Sequence, residues 1–448
     1  MHGSGTSPTA TVRVPARRCT LGCVERVGVL VVGGGIVGTG IAWSLAVRGV
    51  EGIVVIDLDL AGLYASSELN AGGARATWWQ PVNIETCRAT LDFFRAHAAD
   101  VGFREHGYLW LYADGALWEC AVAKRALQNA YGLGVDILTP PDVWARFPLL
   151  DRARDEIVGA TFSPRDGLVN PNAVRALYHE RARQLGVQFR NRHYVAGVAT
   201  AQSMGAAGAL RRVAHVDVVE VEPGDPTDSA GTLREILTTH RVPAAAVRTE
   251  TRFACDTVVN CLGAWSSVFL AKIGVRDVTE PVRRQIALVD VRRRDLPPGT
   301  GFDRLGMIVD PSGLYFHPEG ASVLAGYSIP DEAPGFDFTY DDAFFETHLW
   351  PRLAHRASAF ERCALRRGWA GLYDVTPDRS GVAGAVTGFT NLFEAHSFTG
   401  RGVMQSYGVA TGMAELLATG RFETLDLSPL RRERFADPAR WVTEDLHI

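Results

Sequence analysis

Val27, Leu30, Val31 and Val32 belong to an apolar run of buried-strand length, which the glycine-rich stretch Gly33–Gly38 breaks. Residues 39–46 then carry small side chains on one face and read as a helix. Residues 52–56 form a second apolar strand ending on Asp57. Helical spacing returns at 85–99 and 115–131. Residues 108–112 and 313–318 read as aromatic-rich strands bounded by turn residues. Between 201 and 250 the pattern predicts strands near 211–221 and 244–252. A loop should join them, because Pro, Gly, Asp and Ser cluster from Pro223 to Gly231. Val403, Tyr407, Ala410, Ala414 and Leu417 recur at three and four residues, so 403–418 is expected as a helix.

Composition narrows the classes. The 448 residues suffice for roughly two or three folding units. At 47% apolar and 21% charged, the chain has the profile of an ordinary globular protein. The net charge is −4 and no basic block stands out, which argues against a nucleic-acid partner. No stretch reaches the ~18 apolar residues of a membrane span. The seven cysteines are scattered without CxxC or CxxH spacing. That speaks against a disulfide framework and a metal site, and fits a reducing cytoplasm. Residues 1–26 read as a disordered extension, and residues 431–448 as a tail with a solvated element at Arg431–Phe435.

The opening strand, turn and helix carry candidate chemistry. Gly33 permits a tight turn, Gly35 lets backbone approach a pyrophosphate, and Gly38 lets the helix pack on the sheet. The N–H groups of Ile36 and Val37 open a helix whose positive end suits phosphate. Asp57, with Leu58 beside it, stands where a carboxylate meets a ribose. This pattern predicts a dinucleotide but does not separate NAD from FAD. The next segment favours FAD: Ser66, Ser67, Asn70, Ala71, Gly72 and Gly73 make a small polar loop able to wrap a planar ring.

From Val27 to Gly420 the chain resembles the D-amino-acid oxidase/sarcosine oxidase superfamily of flavoproteins, with sarcosine oxidase β-subunit-like proteins as the nearest branch. The segments that carry the resemblance are Asp166–Pro171, Val258–Ser266, Pro281–Gln285, Gly371–Asp378 and Phe398–Met404, in the family's order. The resemblance implies an α/β fold. A Rossmann-type FAD-binding domain (27–90, 160–277 and 368–430) would interleave with an α+β substrate domain (91–159 and 278–367) built on a large antiparallel sheet. It adds Cys261, Gly263, Trp265, Gly371, Gly400, Arg401, Gly402, Val403 and Met404 to the residues expected around FAD. It also places the start of the 403–418 helix at the flavin edge that becomes negative on reduction.

The activity implied is oxidation of the C–N bond of a secondary amine or amino acid, N-methyl or cyclic. Hydride passes to flavin N5, and the imine hydrolyses. Arg75 and Arg401 are candidate carboxylate anchors. Tyr315 and His317 share a strand face and are candidate pocket residues. Trp78 and Trp79 are candidates for an apolar wall, while Arg283 and Arg284 suit domain packing. Three departures from the family matter. Gly371 stands where one branch attaches FAD through cysteine, and Asn70 where another uses histidine, so FAD is expected to be non-covalent. Leu324 stands where the oxidases carry a lysine that promotes oxygen reduction, so a different electron acceptor is an alternative. A 2-hydroxy-acid dehydrogenase, or a flavoprotein subunit of a hetero-oligomeric amine dehydrogenase with a partner subunit, also stays open.

Overall fold

The computed structural model describes residues 24–151, 157–205, 208–222 and 229–446. Two eight-stranded sheets organise them. The first is built on Val24–Val32, which pairs in parallel with Ile53–Ile56 and with Val247–Asn260. Gln188–Arg190 and Leu392–His396 extend the parallel run on either side, and Val382–Ala385 closes it antiparallel. Leu30, Val31, Val54 and Val55 are buried in succession because the strands are covered on both faces. On one face the helices Ile36–Val47 and Gly402–Thr419 pack through Ile41, Leu45, Val409 and Met413.

The second sheet runs in the order Ala364–Val375, Glu280–Asp290, Ser322–Tyr327, Leu314–Glu319, Met307–Val309, Tyr108–Tyr112, Gly159–Ser163, Asp136–Leu138. All its pairings are antiparallel except that of Met307–Val309 with Tyr108–Tyr112. Its two faces follow the period-two alternation of each strand. Leu109, Leu111, Phe316 and Ala325 point into a core with Phe147, Phe344 and Leu353. Tyr108, Trp110, Tyr112, Tyr315 and Leu324 occupy the other face. That aromatic face is turned toward the first sheet's loops, since His317 Nε2 lies 2.8 Å from the Ala71 carbonyl oxygen.

Several boundaries differ from the sequence expectation. Residues 1–23 of the expected extension lie outside the described residues, whereas Val24–Arg26 are already strand, paired with Arg252–Ala254. The expected strands at 211–221 and 244–252 are Gly208–Val221 and Val247–Asn260, with a 3-10 turn at Ala244–Ala246. Pro223–Asp228 of the expected loop is outside the described residues, and its end is helix from Ser229 to Thr239. That helix forms because Leu233 and Ile236 bury one face against Leu58 and Val221. Gly159–Ser163 and all of Ala364–Val375 pair within the second sheet, so they run past the expected divisions at 159/160 and 367/368. Arg434 is not solvated: it is buried and forks onto Asp378 at 2.6 and 3.0 Å. No helix among the described residues is long and apolar enough to cross a membrane.

Candidate active site

The turn after the first strand is set by steric necessity. Gly33 has φ +107°, and a Cβ there would lie 2.3 Å from the Cys261 carbonyl oxygen. A Cβ on Gly38 would lie 2.0 Å from the Gly33 carbonyl oxygen. The helix Ile36–Val47 therefore starts directly off the strand. Ser67 Oγ accepts the Ile36 N–H at 3.0 Å. Asp57 accepts the Gly34 N–H at 2.5 Å and the Asp59 N–H at 2.7 Å. Burial raises its pKa while those N–H groups pull it back.

These residues border a cavity of about 1450 Å³, counting the solvent at its mouth. Gly33, Gly35, Ile36, Val37, Asp57 and Leu58 line one part of it. Ser66, Ser67 and Asn70 contribute from the following loop, and Cys261, Gly263 and Trp265 from the end of the Val247–Asn260 strand. Gly400, Gly402 and Val403 bring a second helix start, that of Gly402–Thr419, to the same cavity. No side chain caps that helix, so its first N–H groups and its positive dipole end remain for a ligand. Tyr373, Asp374 and His396 line this end as well. Burial pushes the Asp374 carboxyl up to about 6. Two helix N-termini on one cavity fit a pyrophosphate at one and an electron-rich ring edge at the other. The residues present fit FAD.

Residues 28–416 match the sequence family described as FAD-dependent oxidoreductase (DAO). The chain belongs to this family. The enzyme is 30% identical over 459 residues to FAD-dependent oxidoreductase domain-containing protein 1 of Xenopus laevis, which covers 94% of this chain and 84% of that protein. It is 23% identical to the mitochondrial sarcosine dehydrogenase of Mus musculus, over 94% of this chain and 43% of that one. L-proline dehydrogenase of P. horikoshii superposes with a TM-score of 0.74 at 22% identity, over 92% of this chain and 99% of that one. That likeness shows the shared fold.

Of the other expected cofactor residues, Ala71, Gly72, Gly73, Gly371 and Met404 sit beside the cavity rather than on its lining. Asn70 Oδ1 accepts the Gly72 N–H at 2.7 Å, which shapes the loop. Gly73 pairs with Leu168, and a Cβ on it would lie 1.9 Å from the Tyr108 hydroxyl. Gly371 packs against Leu69, and Met404 is buried in an apolar cluster with Trp78 and Cys87. Tyr373 forms the seam with the second sheet: its ring would meet a Cβ on Gly400 at 2.5 Å. Arg284, set aside in the sequence, has its guanidinium 5.4 Å from the Tyr373 ring.

The two anchor candidates share the Trp78 ring, and Arg75 also reaches the second sheet's aromatic face. Arg75 is buried, 3.4 Å over the Trp78 ring and 4.5 Å from that of Trp110. Its Nη1 donates to the Thr77 carbonyl at 3.1 Å and its Nη2 to the Leu446 carbonyl at 2.8 Å. Arg401 is buried on the same Trp78 ring at 4.6 Å. Its Nε and Nη2 have no hydrogen-bond partner among the described residues. Burial lowers its pKa to about 10, against the pull of the Glu444 carboxylate, so it stays cationic at neutral pH. Tyr315 is buried on this face, and burial raises its pKa. His317 is buried between the Pro318 and Ala71 carbonyls at 2.9 and 2.8 Å. Burial lowers its pKa, and a neutral ring donates to one of these carbonyls at a time. It joins the second sheet to the Asn70–Gly73 loop.

Sequence reasoning missed Asp166 as a support. Its buried carboxylate accepts the Ala76 N–H at 2.8 Å and the Thr77 hydroxyl at 2.6 Å, which fixes the backbone beside Arg75. The match at Asp166–Pro171 was its only signal. Glu444 and Leu446 had none, because they reach this site from the far end of the sequence.

Proposed function

We propose that the enzyme oxidises the C–N bond of a small amine that carries a carboxylate, an N-methyl or cyclic amino acid. The supporting observation is Arg401: a fully buried cation whose Nε and Nη2 have no hydrogen-bond partner among the described residues, at the start of the helix that borders the cofactor cavity. A buried guanidinium with open donors favours a bidentate anion such as a carboxylate. FAD, when bound, supplies the acceptor for a hydride from the carbon beside nitrogen, and the nitrogen lone pair closes the C=N bond that water then hydrolyses.

The chain's own groups orient and exclude water. Arg401 holds the carboxylate and thereby fixes the neighbouring C–H. Tyr315, Tyr108 and Trp110 give an apolar wall that favours the neutral amine over its ammonium form. His317 and Arg75 act as positioning residues through Ala71 and Trp78. FAD is held without a covalent bond, since glycine and asparagine occupy positions 371 and 70. Apolar Leu324, in place of a cation on this same face, favours an electron acceptor other than oxygen, with oxygen as the alternative.

The test compares each amino acid with its decarboxylated amine: sarcosine with dimethylamine, proline with pyrrolidine. Anaerobic bleaching of the yellow protein by the carboxylated member alone is expected. Equal bleaching by both members of a pair would overturn the anchor.

A further inference from the structure

The turn residues Asp378 and Ser380 bind a strap from the far end of the described chain. Asp378 accepts the Val442 N–H at 2.9 Å through its carboxylate and the Glu444 N–H at 3.0 Å through its carbonyl. Ser380 Oγ donates to the Val442 carbonyl at 2.5 Å, and Gln80 Nε2 to the Thr443 carbonyl at 2.7 Å. The strap 442–446 is thus pinned along its length. Glu444, with no exposed surface, accepts the Trp79 and Gln80 N–H groups at 3.1 Å and the Asn83 amide at 3.2 Å. These N–H groups precede the helix Pro81–Ala96, so its positive end is neutralised from the strap. Leu446 ends the path: its carbonyl takes Arg75 Nη2 and its side chain is buried among Tyr108, Trp110, Tyr315 and Leu324.

We propose that this strap is a wall of the substrate pocket and that Leu446 is its specificity-determining residue. The proposal rests on the reading of Arg401 as carboxylate anchor. Arg75 has donors committed to Thr77 and Leu446, whereas Nε and Nη2 of Arg401, stacked on the same indole, have no partner among the described residues. The carboxylate therefore goes to Arg401. The Leu446 isobutyl group covers the aromatic face on the Arg75 side of that shared indole. The site takes compact amine carboxylates and excludes those with a ring substituent. Leu446 is also a positioning residue for Arg75 through its backbone carbonyl, which a side-chain change leaves in place.

The experiment titrates the FAD-loaded protein with two inert carboxylates, acetate and benzoate, and follows the visible flavin band. In the native chain acetate perturbs the band and benzoate binds poorly. Leu446→Ala should raise benzoate affinity relative to acetate by about tenfold or more, the range for clearing a few methyl-sized groups from an apolar pocket. Leu446→Val should lie between, and serves if the alanine variant fails to hold FAD. Leu446→Met should restore the native ratio. A ratio that does not move in the smaller variants, while proline or sarcosine still bleaches the flavin, would overturn the wall and leave the anchor standing. No band shift by either carboxylate, with no bleaching by any amino acid, would overturn both.

Discussion

Arg401 and Arg75 share one indole, yet their hydrogen bonding separates them. Two buried like charges on one ring are costly unless each finds an anion or acceptors. Arg75 finds backbone carbonyls; Arg401 has the nearby Glu444 charge to offset it, and its Nε and Nη2 have no hydrogen-bond partner among the described residues. Arg401→Gln should therefore lower kcat/KM for an amino-acid substrate by about 30- to 150-fold, or about 2–3 kcal/mol. Most of that should appear in KM, because the carboxylate is held before and during reaction. Arg401→Lys should recover part of the loss, keeping charge without the fork. A change in kcat alone would contradict the anchor. Asp166 gives a test by pH. Burial lifts its carboxyl from the usual 3.8 to about 6. Its stabilising contribution is present below 3.8 and is lost as pH rises through about 6. The whole change is on the order of 3 kcal/mol for a shift of about two units. Urea unfolding of the native chain and of Asp166→Asn should show a stability difference that falls across this window, and a flat difference would refute the buried carboxyl.

The elements at the cofactor cavity were readable where their signal is local. The Gly33–Gly38 turn needs glycine at two positions for contacts within five residues or against one neighbouring strand. Gly35 is different, since only the Ser67 hydroxyl lies near its Cβ position, at 3.2 Å. Gly35→Leu should fold and be colourless, as measured by FAD content after purification; a yellow, stoichiometric variant would refute the phosphate turn. Gly38→Ala should instead cost stability, about 1–3 kcal/mol, because its Cβ meets backbone that cannot yield. The helix Ser229–Thr239 escaped the sequence because its start lies beside a Pro- and Gly-rich stretch, and its buried face is narrow. Its Ile236 and Leu237 nevertheless line the cofactor cavity. The solvated reading of Arg431–Phe435 failed for a long-range reason: Asp378, the acceptor of Arg434, lies 56 residues away.

Across the whole molecule, two sheets meet at a seam made by Tyr373, the Asn70–Gly73 loop and His317. The parallel sheet, its turn and the alternating aromatic strand at Tyr108–Tyr112 were legible from period and turn chemistry. The strap was not, because its contacts with Arg75 and Trp79 span 371 and 365 residues and carry no local pattern. Cofactor binding at the seam should raise the thermal midpoint of the FAD-free protein, by an amount equivalent to about 2.7 kcal/mol at a hundredfold excess over Kd. Acid precipitation should release the yellow chromophore to the supernatant, and colour retained in the pellet would contradict non-covalent attachment. The most direct test of the central claim is anaerobic reduction of the FAD-loaded protein by matched substrates, an N-methyl or cyclic amino acid against the corresponding 2-hydroxy acid. The account predicts that the visible flavin band bleaches with the amino acid and stays with the hydroxy acid. Bleaching by the hydroxy acid alone would contradict it.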